Sequence, residues 1–308
     1  MTDADADADA VLVSVVVVNY RGAAYLAACL TALAEQTLPR HRYEVILVEN
    51  ASADSSAELV RGRFPWVRLI ESGVNLGFAA GNNLGVSHAR GVWVALLNND
   101  TVADPFWLEE LLRQLTGPTD AAVSKLVYAG DPGTINSAGL TLLSDGRGAD
   151  RGCGHADAGQ YERAEPVFAG CGAALTLPRP ASGVDPFDAR YFLYYEDLEL
   201  GWRRRRAGLA TTYAPRSLVR HAVGGSAGEG SPLFRFCVER NRALTSLRHG
   251  DAVLAFRAAL TLVAKAAVAW LRGLRSREFA QARATTAAAL SYARHAPVTL
   301  AKRWGGAA

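Results

Sequence analysis

Val92-Trp93-Val94-Ala95-Leu96-Leu97-Asn98-Asn99-Asp100-Thr101 runs from six apolar residues into a polar cluster whose only carboxylate is Asp100. A continuous apolar run of this length reads as a buried strand. In open α/β sheets, ligands bind beyond the carboxyl ends of the strands. A lone acid there suits an oxygen-ligand cation, Mg²⁺ or Mn²⁺, whose other ligands come from a substrate's phosphates. The same residues also suit a turn, because Asn and Asp bond back to their own backbone. Taken alone, the stretch supports both readings.

Toward the amino terminus the pattern repeats. Val11 to Asn19 (VLVSVVVVN) is nearly all apolar and β-branched, as in a parallel strand covered on both faces. Residues 23–36 carry Leu26, Leu30 and Leu33 at helical spacing. Tyr43 to Glu49 predicts a second strand and Val67 to Ile70 a third. Strand and helix alternate from residue 11 to about 100, which predicts a doubly wound, mostly parallel, Rossmann-like sheet of the α/β class.

The predicted strand ends share a chemistry. They are Asn19-Tyr20-Arg21-Gly22, Glu49-Asn50-Ala51-Ser52, and the loop Asn75-Leu76-Gly77-Phe78-Ala79-Ala80-Gly81-Asn82 before the opening stretch. An acid after the second strand can accept hydrogen bonds from a base or ribose, and Gly77 and Gly81 let backbone approach a ligand closely. There is no GxGxxG after the first strand and no GxxxxGK[ST] anywhere, which argues against a dinucleotide dehydrogenase and a P-loop NTPase.

In the order VSVVVVNYR, VILVENASAD, NLGFAAGNN and LLNNDT, these motifs make residues 11 to about 245 resemble the inverting glycosyltransferases of family 2, with the GT-A fold, and within them the bacterial rhamnosyltransferase-like branch. The family usually has Asp-Asn after strand two where this chain has Glu49-Asn50, and Asp-x-Asp where this chain has Asn98-Asn99-Asp100. The resemblance implies a nucleotide-diphosphate sugar donor held by Asn19, Tyr20, Arg21, Glu49, Asn50, Asn75, Gly77, Phe78, Gly81, Asn82 and Asn99. It also implies a divalent metal, Mg or Mn, on Asp100. The branch suggests dTDP-rhamnose; UDP-glucose, UDP-galactose and UDP-N-acetylglucosamine are rival donors on the same scaffold. A non-catalytic sugar-nucleotide-binding protein is the rival from another class, and it predicts loss of acids that are present here.

Beyond residue 118 the alternation breaks down. Ala121 to Tyr128 predicts a strand, residues 129–165 a glycine-rich loop region, and Val167 to Leu175 a small-residue segment. Phe187 to Gly208 reads as an aromatic stretch, an acidic helix start, a basic helix end and a glycine stop. Helix-dipole preference alone explains the charges. The resemblance assigns the catalytic base to Asp197, with Glu196 as a helper, and dipole logic predicts that Asp197 stays ionised at neutral pH. His221, after a predicted strand and before Gly224-Gly225-Ser226, is either structural or a contact to metal or diphosphate; Arg220 is a further diphosphate candidate.

The totals set the frame. The 308-residue chain has a net charge of +3, which does not indicate nucleic acid, and four cysteines with no CxxC spacing, which fit a reducing compartment. Residues 1–10 alternate Asp and Ala and are expected to be disordered. Residues 11–231 are expected to form the transfer domain, with a nucleotide-sugar half at 11–117 and an acceptor half at 118–231. Residues 232–308 are expected to form a basic helical extension. Within it Ala252 to Leu271 has the length of a span, but Arg257 and Lys265 interrupt it, which favours an amphipathic helix on an anionic membrane surface over a transmembrane one. A cap on the domain or a homodimer contact is the other reading. Acceptors in this branch are often lipid-linked, so a cytoplasmic position at the inner face of the plasma membrane is expected.

Overall fold

The computed structural model describes residues 10–223, 228 and 230–304. Most of the acidic amino terminus and the Gly224-Gly225-Ser226 loop lie outside the described residues. The chain divides into two compact units, one of residues 1–141, 150–192 and 196–226, the other of residues 142–149, 193–195 and 227–308.

The first unit is built on a ten-stranded sheet, with the main order β10-β12-β6-β11-β4-β1-β2-β3. Four strands form its parallel half: β1 (Val13–Asn19), β2 (Tyr43–Glu49), β3 (Arg68–Glu71) and β4 (Trp93–Asn98). The apolar runs of β1, β2 and β4 are explained by burial on both faces, every residue of β2 being buried. The connections are α1 (Ala23–Ala34), α2 (Ser56–Arg63) and α3 (Gly77–Ser87). Leu26, Leu30 and Leu33 of α1 are fully buried, as their spacing predicts.

The other half of the sheet is mixed. It contains β5 (Thr101–Ala103), β6 (Ala122–Tyr128), β7 (Asp131–Ser137), β10 (Glu165–Val167), β11 (Ala174–Pro178) and the long β12 (Thr211–His221). Strand β11 runs antiparallel between β4 and β6, and β12 is parallel to β6 but antiparallel to β5. The short helix α4 (Trp107–Leu112) closes the core here, its Trp107 Nε1 donating to Ser124 Oγ at 2.9 Å. Helix α5 (Glu196–Arg206) ends in four arginines, and Arg203 pairs with Glu199 one turn back at 2.9 Å.

Register decides what the sheet presents. Asn19 lies opposite Glu49, and Val18 opposite Asn98, so the carboxyl ends of β1, β2 and β4 stop in line. The antiparallel pairing of β5 with β12 sets His221 against Thr101, delivering a residue from the far end of the unit to the same rim.

The second unit contains α6 (Pro232–His249), α7 (Ala252–Ser276) and α8 (Ala280–Trp304). Ser231 and Asp251 cap α6 and α7 with side-chain acceptors. Ala243, Leu262 and Ala288, one from each helix, meet in its core.

Candidate active site

The parallel strand ends are joined by a chain of side-chain hydrogen bonds. Asn99 Nδ2 donates to Asn19 Oδ1 at 2.7 Å, and Asn19 Nδ2 donates to Glu49 Oε2 at 2.6 Å. The other Glu49 oxygen accepts from the Ser52 backbone N–H at 2.9 Å. Asn19 and Glu49 need this: both are buried, and a buried carboxylate without donors is costly.

Asn50 sets the next loop. Its Oδ1 accepts from Leu76 N at 2.8 Å, and its Nδ2 donates to Gly77 O at 3.1 Å and Asn75 Oδ1 at 3.2 Å. Backbone strain gathers on the same rim, with Arg21, Ala51, Ala53, Phe192 and Val223 all at positive φ. Such conformations cost roughly 1–3 kcal/mol each and concentrate at functional loops. The Arg21 guanidinium lies over the Tyr20 ring, 5.2 Å from its centroid.

Several of the loop residues assigned to the donor have close protein neighbours. Gly77 has φ +73°, and a Cβ there would lie 2.4 Å from the Phe192 carbonyl oxygen, which accepts from Phe78 N and Ala79 N. Gly81 faces Val18, where a Cβ would meet the valine at 3.0 Å. Asn82 turns back to its own helix, its Nδ2 donating to Phe78 O. Protein thus packs against each of these positions, and the Phe192 carbonyl caps the start of α3. Arg220 lies near the end of β12. It is exposed and precedes His221 on β12, so strand alternation turns the two side chains to opposite faces.

Across the rim, His221 Nε2 lies 3.2 Å from Asp100 Oδ1, with side chains 12% and 5% exposed. His221 Nδ1 is 2.9 Å from Asn136 Oδ1. An amide oxygen accepts only from a protonated Nδ1, so on a neutral imidazole Nε2, on the Asp100 side, is the atom that could ligate a cation. Two neighbouring ligands on an octahedral cation with bonds of about 2.1 Å stand about 3 Å apart. The pair therefore fits a divalent cation with most of its coordination left open. Among the described residues no cluster of three or more His, Cys, Asp or Glu side chains is arranged to hold a metal, so other ligands would have to come from substrate.

Asp197 sits in the first turn of α5. Its Oδ2 accepts from Gly172 N at 3.1 Å and its Oδ1 from Leu198 N at 2.7 Å. Gly172 is there for closeness: a Cβ would sit 2.9 Å from Phe78 Cζ and 3.7 Å from Asp197 Cβ. Burial lifts the Asp197 carboxyl to about 6, the Gly172 and Leu198 N–H groups oppose it, and Asp150 pushes it up further. The helix start thus does not hold it low; burial outweighs the dipole. Burial, then the Asp197 charge, raises Glu196 well above the usual carboxylate range. Its Oε2 is buried with no hydrogen-bond partner among the described residues. Two adjacent acids thus sit in different surroundings: burial favours the protonated form of Glu196, whereas two backbone N–H donors favour the carboxylate of Asp197.

Sequence reasoning missed Asp150, Asn136, Ser52 and the Phe192 carbonyl. Asp150 ends β9 (Gly148–Asp150), where burial raises its carboxyl, and Ser137, His221 and Cys171 bring it down. Nothing in the glycine-rich stretch around it marks it as facing Asp197. In the aromatic stretch before α5, Tyr194 packs edge-on against Phe234 at 5.1 Å, within the second unit.

The family profile described as "Glycosyl transferase family 2" matches residues 14–157, covering the parallel half and the Asp100 turn. The chain is also 30% identical, over 243 residues, to the N-acetylglucosaminyl-diphospho-decaprenol L-rhamnosyltransferase of Mycobacterium tuberculosis, covering 70% of this chain and 77% of that one. The chain belongs to glycosyltransferase family 2. Solved structures agree on the fold. GalNAc-T7 with UDP, GalNAc and Mn²⁺ superposes with a TM-score of 0.62 at 14% identity, covering 79% of this chain and 49% of that one. The mannosyltransferase PcManGT of Pyrobaculum calidifontis, in complex with GDP-Man and Mn²⁺, gives 0.55 at 19% identity, covering 96% and 88%. The first unit of this family 2 glycosyltransferase is accordingly of the GT-A type.

Proposed function

We propose that this glycosyltransferase is an inverting, metal-dependent enzyme that moves rhamnose from dTDP-rhamnose to a lipid-diphosphate-linked saccharide of the cell envelope, working in the cytoplasm at the inner face of the plasma membrane. The donor and acceptor classes are supported by the similarity to the mycobacterial rhamnosyltransferase. The observation that carries the chemistry is Asp197: a carboxylate held by two backbone N–H groups, with its neighbour Glu196 buried beside it.

Asp197 accepts the proton of the acceptor hydroxyl as that oxygen bonds to the anomeric carbon. The bond from that carbon to the diphosphate oxygen breaks, its electron pair leaving on the diphosphate. One displacement opposite the leaving group inverts the sugar. Asp100 and His221 would hold the metal, which when bound offsets the charge of the departing diphosphate. Asn136 keeps His221 in the tautomer that presents Nε2. Asn19, Glu49, Asn50 and Asn99 shape the cradle for the nucleotide.

The test is transfer by the purified chain from a panel of nucleotide sugars to a lipid-diphosphate N-acetylglucosamine acceptor, with the product's anomeric configuration read by NMR. The expected product carries rhamnose with the configuration opposite to the donor's. Transfer from a UDP-hexose alone would overturn the donor assignment, and retained configuration the mechanism.

A further inference from the structure

Helix α7 carries an apolar stripe that the fold leaves uncovered. Val253, Phe256, Leu260, Val263, Leu271 and Leu274 recur at spacings of three and four, except across the small Ala267, so they share one face. Each is between 57% and 69% exposed. The opposite face is the packed one, with Ala255, Ala258 and Leu262 buried. Lys265, which interrupts the apolar sequence, is held at 2.6 Å by Glu239 of α6.

Charge identifies what covers the stripe. Helix α7 bears Arg257, Lys265, Arg272 and Arg275, and α8 bears Arg283, Arg294, Lys302 and Arg303, with no acidic residue in either. Arg257, Arg272 and Arg275 are exposed. A second copy of the same face would bring arginine against arginine. An anionic lipid surface supplies the opposite charge and an apolar interior together. Beside the stripe, a cavity of about 810 Å³ opens between the helices, lined by Leu260 and Val268 and by the charged Arg235, Lys265, Arg272 and Glu278, of which Arg235 and Lys265 pair with Glu239.

Length and composition would also let α7 cross a membrane: it has 25 residues, with mean hydropathy 1.8 in its most apolar window. Its packing argues otherwise. A spanning α7 would lose the Leu262 contacts with α6 and α8, and would carry Lys265 and Arg257 into hydrocarbon.

We infer that the second unit docks on anionic phospholipid through the exposed face of α7, lying in the plane of the bilayer and not crossing it. Its purpose rests on the lipid-linked acceptor proposed above, whereas its test needs neither donor nor acceptor. The full chain is floated with vesicles of phosphatidylcholine, with and without phosphatidylglycerol, and the membrane fraction is extracted with alkaline carbonate. The chain should float only with phosphatidylglycerol and should be released by carbonate. Phe256→Asp with Leu260→Asp, and separately Arg272→Glu with Arg275→Glu, should each lower partitioning roughly tenfold or more, with melting and nucleotide binding unchanged. Flotation insensitive to phosphatidylglycerol and to both pairs of substitutions overturns the inference. Resistance to carbonate overturns the in-plane placement. A wild-type dimer that Phe256→Asp with Leu260→Asp converts to monomer assigns the face to a second copy.

Discussion

His221 Nε2 stands 3.2 Å from Asp100 Oδ1 although the residues are far apart in sequence, because the antiparallel pairing of β5 with β12 sets 221 beside 101, next to the turn that holds Asp100. The Ala222 N–H also donates to the Asp100 carbonyl at 2.9 Å, locking the register. If this pair holds the cation, Asp100→Ala removes the Mn²⁺-dependent part of nucleotide affinity. Asn136→Ala, which frees the imidazole to change tautomer, lowers it roughly 10–100-fold. Calorimetric titration of nucleotide with Mn²⁺ and with EDTA measures both. Equal affinity under the two conditions for the wild-type chain would remove the metal from the account.

Rate should follow the Asp197 proton. With its carboxyl at about 6, transfer under saturating substrate rises tenfold per pH unit below that value and levels off above it. A pH–rate profile tests this. A profile flat between pH 5 and 7 would exclude a base of this kind.

Stability should run the other way. The folded value of about 6 lies above the ordinary 3.8, so folding favours the protonated form. That contribution is fully present below about 3.8 and is lost as pH rises through about 6. Asp197→Asn carries no such penalty, and its melting temperature at pH 8 should exceed that of the wild type by a few degrees. The gap should close toward pH 4, as read by calorimetry.

Two glycines separate backbone strain from collision. Gly77 and Gly208 both have φ +73°, but a Cβ at Gly208 meets nothing within 4 Å, whereas at Gly77 it meets the Phe192 carbonyl. Gly208→Ala should cost roughly 1–2 kcal/mol in urea unfolding. Gly77→Ala should cost more, because displacing that carbonyl also releases Phe78 N and Ala79 N. Equal losses would mean that the loop yields freely.

The parallel half of the sheet was legible because β1, β2 and β4 are buried on both faces and their apolar runs say so. The Asn19, Glu49 and Asn99 cluster was legible for the same reason, since strand ends mark themselves where the apolar run stops. The mixed half was not. Strand β11 is five residues long and β10 three, too short for a periodic signal, and their partners are far away in sequence. Gly77 and Gly81 were visible as glycines, but whether a ligand or the protein fills the space beside them depends on Phe192 and Val18. Asp150 had no local signal, because its place near Asp197 and His221 comes from how the loop region folds back.

The most direct measurement is transfer and nucleotide affinity on Asp197→Asn side by side. Asparagine keeps the shape of the side chain but cannot take the acceptor's proton. Transfer should fall by roughly 10²–10⁴-fold, with nucleotide affinity in Mn²⁺ within about twofold of wild type. Near-normal turnover by Asp197→Asn would contradict the assignment of the base and the mechanism built on it.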